Sequence, residues 1–162
     1  MVYNKLNLIS IFNEGYINEM FSDPVIYNWE KYTILLVEDD YSTVFYLKEV
    51  LKDTGVNIEI AGDGQTAINK CRNKPEINIV LMDIQLPFVC GLEVTTEIKK
   101  IRPDLKVIAE TAFATPNDQE NCREAGCNDI ITKPIDALEL LEVINKYFEK
   151  HNYKNAFCCF QK

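Results

Sequence analysis

The sequence predicts an α/β fold, in which a doubly wound parallel sheet carries helices on both faces. Five short apolar runs alternate with five amphipathic segments, and strands that alternate with helices build parallel sheets. The runs ILLV (34–37) and IVLM (79–82) are apolar without alternation, as in central strands that are buried on both faces. Ligands bind at the carboxyl ends of the strands in such sheets. Function is therefore expected at that edge.

Each predicted strand is a short run rich in apolar side chains. The second run, VNIEIA, alternates and lies between Gly55 and Gly62, while the first and third runs end in acids. In chain order, the predicted strands are residues 33–38, 56–61, 78–83, 105–109 and 128–132.

The helices are predicted from apolar residues at helical spacing and from residues that start or stop a helix. In the first helix, residues 42–53, Val44, Leu47 and Leu51 lie on one face, and Gly55 follows its end. The boundary signals of the other helices are, in chain order, Asp63 and Pro75, Gly91 and Pro103, Pro116 and Gly126, and Asp136 for the last one.

The two termini lie outside this alternating pattern. Residues 1–31 are predicted to be an N-terminal extension or linker, with one short helix near 8–21. Residues 150–162 are predicted to be a C-terminal tail.

Length and composition exclude several classes of protein. A length of 162 residues suits one globular domain with a terminal extension. Seventeen basic and 25 acidic residues give a net charge of −8, which argues against direct binding of nucleic acid or an anionic membrane. We find neither a signal peptide nor an apolar stretch of the roughly 18 residues that a membrane helix needs, which predicts a cytoplasmic protein. The six cysteines fit no zinc-site spacing and are expected to be reduced thiols.

Polar residues suited to phosphoryl chemistry stand at the ends of four predicted strands. Glu38 and Asp39 end the first strand, Asp83 ends the third, Thr111 follows the fourth and Lys133 follows the fifth. Because these ends converge in a doubly wound sheet, we expect carboxylates, a hydroxyl and an ammonium group in one small area.

Such a cluster has a specific chemistry. Crowded carboxylates need a cation, and ligands that are all oxygen select a hard ion such as Mg²⁺. A carboxylate can attack phosphorus, and the metal, an amine and a hydroxyl stabilise the group being transferred. Each of these features alone has a simpler interpretation. Acidic residues at a strand end often form a solvated turn, a Lys-Pro pair usually lies in a loop, and a threonine after a strand is usually a helix cap. Only their joint order across five strand–helix units favours a functional site.

Five stretches carry a resemblance to a known family. They are ILLVEDD (34–40), IVLMDIQLP (79–87), CGLE (90–93), VIAETAFA (107–114) and AGCNDIITKP (125–134). In order and spacing they resemble the receiver domain of response regulators, the input module of two-component signalling, over residues 32–149. The resemblance implies a flavodoxin-like sheet with strand order 2-1-3-4-5.

The resemblance also implies an acceptor and its metal ligands. Asp83 corresponds to the aspartate that accepts a phosphoryl group. Glu38 and Asp39 correspond to the acidic pair that organises Mg²⁺, with Asp39 the better candidate for direct ligation, and the backbone carbonyl of Gln85 corresponds to a third protein ligand. Gln85 and Phe113 are expected to flank the phosphate and to tune its hydrolysis.

A second group of residues corresponds to the switch of the family. Thr111 matches the hydroxyl that turns toward the phosphoryl group, and Lys133 matches the lysine that pairs with it. Pro134 is expected to follow a cis peptide bond. Ile130 stands where an aromatic residue often rotates inward on activation, so we expect the 116–125 helix and the loop before it to relay the signal.

The implied partners are a histidine kinase or phosphotransfer protein as phosphodonor, and a downstream protein target. The chain is either a stand-alone receiver or the receiver of a hybrid histidine kinase, which the stretch YNWEKYTILLVEDD favours slightly. Two alternatives are a degenerate receiver that only docks, and a phosphatase of the haloacid dehalogenase type with an aspartyl-phosphate. The latter needs an acid two residues after the nucleophile, where Gln85 stands.

Overall fold

Five strands form the centre of the protein in the computed structural model, which describes residues 27–112 and 115–148. The strands are β1 (Thr33–Val37), β2 (Asn57–Ala61), β3 (Ile77–Asp83), β4 (Lys106–Thr111) and β5 (Asp129–Thr132). They form one sheet in the order β2-β1-β3-β4-β5, and every neighbouring pair is parallel. The predicted fold class and strand order are confirmed. The predicted helix near 8–21, Phe113 and the C-terminal tail lie outside the described residues.

Five α-helices alternate with the strands, as predicted. They are α1 (Tyr41–Leu51), α2 (Gly64–Asn73), α3 (Gly91–Ile101), α4 (Pro116–Ala125) and α5 (Ala137–Phe148). Two predicted caps are present: the Asp63 carboxylate accepts the backbone N–H of Thr66 at 2.7 Å, and that of Asp136 accepts the backbone N–H of Glu139 at 2.9 Å. Each cap satisfies a backbone donor that the first helical turn leaves unpaired.

The fourth strand is longer than the sequence indicates. The predicted strand ends at residue 109, but β4 continues through Glu110 and Thr111. Glu110 lies in register with Asp83 on one side and Ile131 on the other. The glutamate looks like a strand end because it is charged, yet its backbone is paired on both sides and its side chain is buried.

Two apolar clusters cover the two faces of the sheet. The α1/α5 cluster contains Trp29, Ile34, Leu36, Leu47, Leu51, Ile79, Leu81, Ile108, Ile131, Leu140, Val143, Ile144 and Phe148. The α2/α3 cluster contains Leu35, Val37, Ala61, Ala67, Cys71, Ile77, Val80, Met82, Leu86, Val94, Ile98, Leu105 and Val107. Successive strand residues alternate between the clusters because side chains along a strand point to opposite faces. The helices that pack on the sheet through these clusters are therefore α1 and α5 on one face and α2 and α3 on the other.

The segment before β1 packs into this core. Trp29 is 2% exposed, and its ring meets the edge of Phe148 at a centroid distance of 5.3 Å. Tyr32 stacks on Phe148, and its hydroxyl donates to the Phe148 carbonyl at 2.8 Å. The division at residue 32 stays a prediction, but Trp29 is part of the α1/α5 cluster.

Cys71, Cys90, Cys122 and Cys127 are free thiols. Burial raises the pKa of Cys71 to about 11 and that of Cys127 to about 12, so neither is a reactive thiolate at neutral pH. Among the described residues, none of the helices is both long enough and apolar enough to cross a bilayer.

Candidate functional site

Asp83 is the last residue of β3, at the carboxyl edge of the sheet. Its side chain is almost fully buried, and its two oxygens have different partners. Oδ1 accepts the backbone N–H of Gln85 at 3.0 Å, and Oδ2 lies 2.9 Å from Nζ of Lys133. The central strand thus delivers a fixed carboxylate to the edge where ligands bind in parallel sheets.

A second buried carboxylate lies beside it, directly after the end of β1. Glu38 is 3% exposed. Its Oε1 accepts the backbone N–H of Asp40 at 3.0 Å, and its Oε2 accepts from Lys133 at 2.8 Å. Asp39 is exposed. One oxygen from each of Glu38, Asp39 and Asp83 lies within 4.8 Å of the others.

These residues fit a magnesium ion. Their donors are all carboxylate oxygens, two of them buried and one exposed. Mg²⁺ prefers such hard ligands and keeps several waters, which suits a site that is open on one side. The ligand roles of Glu38, Asp39, Asp83 and the Gln85 carbonyl stay predictions.

Asp40, which follows Glu38 and Asp39 in the sequence, has a different structural role. Its carboxylate caps α1 by accepting the backbone N–H of Thr43 at 2.9 Å and the Thr43 hydroxyl at 2.8 Å. The same hydrogen bonds lower the pKa of Asp40. This cap begins α1 at Tyr41 and so positions the acidic pair, Glu38 and Asp39, which precedes it.

Lys133 joins the two buried carboxylates. Burial acts to lower its pKa, but the hydrogen bonds and charges of Glu38 and Asp83 outweigh burial and raise it. Its backbone N–H donates to the Thr111 carbonyl at 2.8 Å, and the peptide bond to Pro134 is cis, as predicted. Lys133 is therefore a firmly protonated cation at this edge.

Thr111 ends β4, in register with Thr132. Its side chain is buried. The structure thus brings Glu38, Asp83 and Lys133 into direct contact and places Thr111 at the same edge. The switch role of Thr111 stays a prediction.

Gly91 lets α3 approach the site closely. Its N–H donates to the Ile84 carbonyl at 2.9 Å. A Cβ atom at this position would lie 2.1 Å from the carbonyl oxygen of Asp83. A glycine is required here because any side chain would displace the loop that follows Asp83.

Glu110 is a residue of this region that the sequence reasoning missed. It is 1% exposed, and neither carboxyl oxygen has a hydrogen-bond partner within the described part of the chain. Burial raises the pKa of Glu110 to about 8, while Lys133 lowers it and the charges of Glu38 and Asp83 raise it. The available signal was a charged residue inside VIAETA, an otherwise apolar stretch.

The fold agrees with comparisons to known proteins. The family model of the response regulator receiver domain matches residues 34–145. The chain is 37% identical over 130 residues to hybrid signal transduction histidine kinase I of Dictyostelium discoideum, a match that covers 73% of this chain and 8% of that protein. It is 35% identical over 119 residues to the polar-differentiation response regulator DivK of Brucella anthropi, covering 71% of this chain and 94% of DivK.

A solved structure shows the same architecture. The receiver domain of a sensor histidine kinase from Pseudomonas aeruginosa, with a magnesium ion coordinated in its active-site cleft, superposes with a TM-score of 0.65. The two are 31% identical, and the match covers 72% of this chain and 96% of that one. With the family model matching most of its length, the chain belongs to the response regulator receiver domain family of two-component signalling.

Proposed function

We propose that this protein is a phosphoacceptor of a two-component phosphorelay, which receives a phosphoryl group on Asp83 with the help of Mg²⁺. The observation that carries the proposal is the bridge from Lys133 to both Asp83 and Glu38. It places a cation beside the carboxylate that reacts, where negative charge develops during phosphoryl transfer.

In the proposed reaction, an oxygen of Asp83 attacks phosphorus in line. The new O–P bond forms as the P–N bond to the donor's phosphohistidine breaks, and the imidazole keeps the electron pair and takes up a proton. Bound Mg²⁺ supplies positive charge that shields the carboxylates and the phosphoryl oxygens. Lys133 pairs with the phosphoryl group, while the Gln85 N–H holds Oδ1 of Asp83 in place.

The phosphorylated state is proposed to act through Thr111. New phosphoryl oxygens draw the hydroxyl in, and the segment that joins β4 to α4 repacks as a local charge change biases a packing switch. The output surface consists of α4, β5 and α5. Hydrolysis of the acyl phosphate resets the protein.

The proposed partners are a histidine kinase or phosphotransfer protein as donor and a protein as downstream target, without direct contact to nucleic acid or membrane. The chain spans 8% and 4% of the first two curated relatives, both hybrid kinases of Dictyostelium discoideum, and nearly all of DivK. Both the hybrid-kinase and the stand-alone arrangement therefore have relatives. We place the domain in the cytoplasm.

The test is incubation with acetyl phosphate and Mg²⁺, followed by intact-protein mass spectrometry. We expect one phosphoryl increment that depends on Mg²⁺ and is absent from Asp83→Asn. Asp104→Asn is the matched control, because Asp104 lies in the exposed turn before β4, at the opposite edge of the sheet. No increment, or one that survives Asp83→Asn, would reject the phosphoacceptor role and leave a docking module.

A further inference from the structure

Glu110 lies on β4, the strand that separates Lys133 from its two acidic partners. On four strands an apolar residue of the α1/α5 cluster is followed two positions later by a charged residue: Leu36 by Glu38, Leu81 by Asp83, Ile108 by Glu110 and Ile131 by Lys133. Alternation along a strand places these four charged residues on the same face.

The strand order then fixes the path of the lysine. Lys133 follows β5, whereas its partner Asp83 ends β3 and its partner Glu38 follows β1. Because β4 lies between β5 and β3, the side chain of Lys133 must cross β4 to reach them. Glu110 is the residue of β4 in register with Asp83.

Burying the carboxyl group of Glu110 costs free energy of folding. It is 1% exposed, and both oxygens lack a partner in the described part of the chain. A buried polar group without a hydrogen bond destabilises a fold, and an apolar side chain of similar size would remove that cost. A contribution to stability therefore does not explain why a glutamate is present here. A functional state in which another group donates a hydrogen bond to its carboxyl group would explain it.

Mg²⁺ and the Lys133 ammonium group compete for the same carboxylates. The ammonium contacts both Glu38 and Asp83, and these two are also proposed metal ligands. A divalent ion that binds the oxygens in contact with the lysine, Oε2 of Glu38 and Oδ2 of Asp83, would displace the ammonium from them. The displaced ammonium then needs other partners, and the two unpaired oxygens of Glu110 are acceptors on the strand that its side chain crosses.

We propose that Glu110 is a positioning residue that accepts the Lys133 ammonium group when Mg²⁺ takes Glu38 and Asp83, and so facilitates metal binding; this rests on the proposed magnesium site. Either a carboxylate oxygen or the carbonyl oxygen of a neutral carboxyl group accepts a hydrogen bond from an ammonium group. The lysine stays on this face and beside the carboxylate that reacts, ready to pair with an incoming phosphoryl group.

The experiment measures Mg²⁺ affinity by isothermal titration calorimetry at one fixed pH. Glu110→Met is the test variant, because methionine has a similar length and no acceptor oxygen of this kind, and Glu110→Leu repeats the test with a branched chain. Glu110→Gln is the matched control, because it keeps a carbonyl oxygen at the same place. We expect the two apolar variants to bind Mg²⁺ roughly tenfold more weakly, about the worth of one charged hydrogen bond. Glu110→Gln should remain close to the wild type.

Two further measurements separate positioning from structure. The apolar variants should melt at a higher temperature than the wild type without Mg²⁺, since they remove an unpaired buried polar group. In a Lys133→Met background, Glu110→Met should no longer weaken Mg²⁺ binding, because the group acts only through the lysine.

Each other outcome overturns the inference. Unchanged affinity in both apolar variants means that Glu110 takes no part in metal binding. Glu110→Gln as weak as Glu110→Met means that charge, not an acceptor, is what the metal needs. An effect that persists without Lys133 means that the lysine is not the group being positioned. If the wild type binds no Mg²⁺ at all, the proposed function itself fails before the variants are compared.

Discussion

Replacing Lys133 by methionine removes the charge of the amine and keeps an unbranched stem. In the wild type its Nζ lies 2.8 Å from Oε2 of Glu38 and 2.9 Å from Oδ2 of Asp83. These two acidic side chains are only 2% and 6% exposed. Lys133→Met therefore leaves two buried carboxylates without their cation.

The structure gives the size of the effect. Removing one partner of a buried ion pair destabilises a protein by roughly 3–5 kcal/mol. We expect the lower end, about 3 kcal/mol, because the Lys133 side chain is 27% exposed and water reaches the amine. This is a large part of the roughly 5–15 kcal/mol that holds a typical domain together, but the variant should still fold.

Mg²⁺ should reverse much of this loss. At about 100 times its dissociation constant, a ligand that binds only the folded state adds about 2.7 kcal/mol. The variant should bind Mg²⁺ more tightly than the wild type, since the metal no longer competes with an ammonium group for Glu38 and Asp83. The measurement is urea unfolding followed by circular dichroism, with and without Mg²⁺.

A matched lysine tests whether the effect belongs to the site. Lys146 pairs with Asp129 at 3.2 Å, but its side chain is 59% exposed, so Lys146→Met should change the stability by less than about 1 kcal/mol. If Lys133→Met without Mg²⁺ is as stable as the wild type, or if Mg²⁺ stabilises both equally, then the lysine does not neutralise the two carboxylates.

Three further predictions concern the core, the loop and pH. Trp29→Ala should lower the free energy of unfolding by roughly 3–5 kcal/mol, and a loss under about 1 kcal/mol in urea unfolding would place Trp29 outside the folding unit. Gly91→Ala should slow acetyl phosphate labelling of Asp83, whereas Gly62→Ala, where a Cβ meets nothing within 4 Å, should not; equal rates would contradict the close approach of α3. The pKa of Glu110 is raised from 4.5 to about 8, so the folded protein binds this proton more tightly than the unfolded chain does. The resulting gain in the free energy of unfolding is complete below pH 4.5 and is lost as pH rises toward 8. Relative to Glu110→Gln, the wild type should lose stability between these values with a slope of at most about 1.4 kcal/mol per pH unit, and parallel pH profiles in thermal unfolding would refute the buried carboxyl.

Much of this molecule follows from local sequence rules. The meeting of Glu38, Asp83 and Lys133 was predictable, because parallel strands of one sheet bring their carboxyl ends to one edge. The strand order was expected only from the family resemblance. The caps at Asp63 and Asp136 follow from side chains that pair with the first helical turn.

What could not be predicted depends on contacts that are remote in sequence. Trp29 is buried because it meets Phe148, at the other end of the described chain. Glu110 looks like the start of a loop, because nothing in its neighbours along the chain reveals that it is buried. Only the assembled sheet shows that it lies in register with Asp83, on the strand between Asp83 and Lys133.

The same geometry bears on how the proposed charge change at Asp83 would reach the surface. The residues whose side chains are proposed to meet the phosphoryl oxygens, Thr111 and Lys133, are joined by a backbone hydrogen bond of 2.8 Å, so a backbone shift of one would move the other and with them the β4–β5 edge. On β5 the half-buried Ile130 lines a groove with Gln119 and Arg123 of α4. Ile130 has no aromatic ring that could rotate between the inside and the outside, and its β-branched side chain has few rotamers. The helix α4 is the freer element, since Cys122 is its one buried side chain, whereas α5 buries four. Segments with few buried contacts open at the lowest free energy, and we therefore expect α4, rather than Ile130, to carry the response.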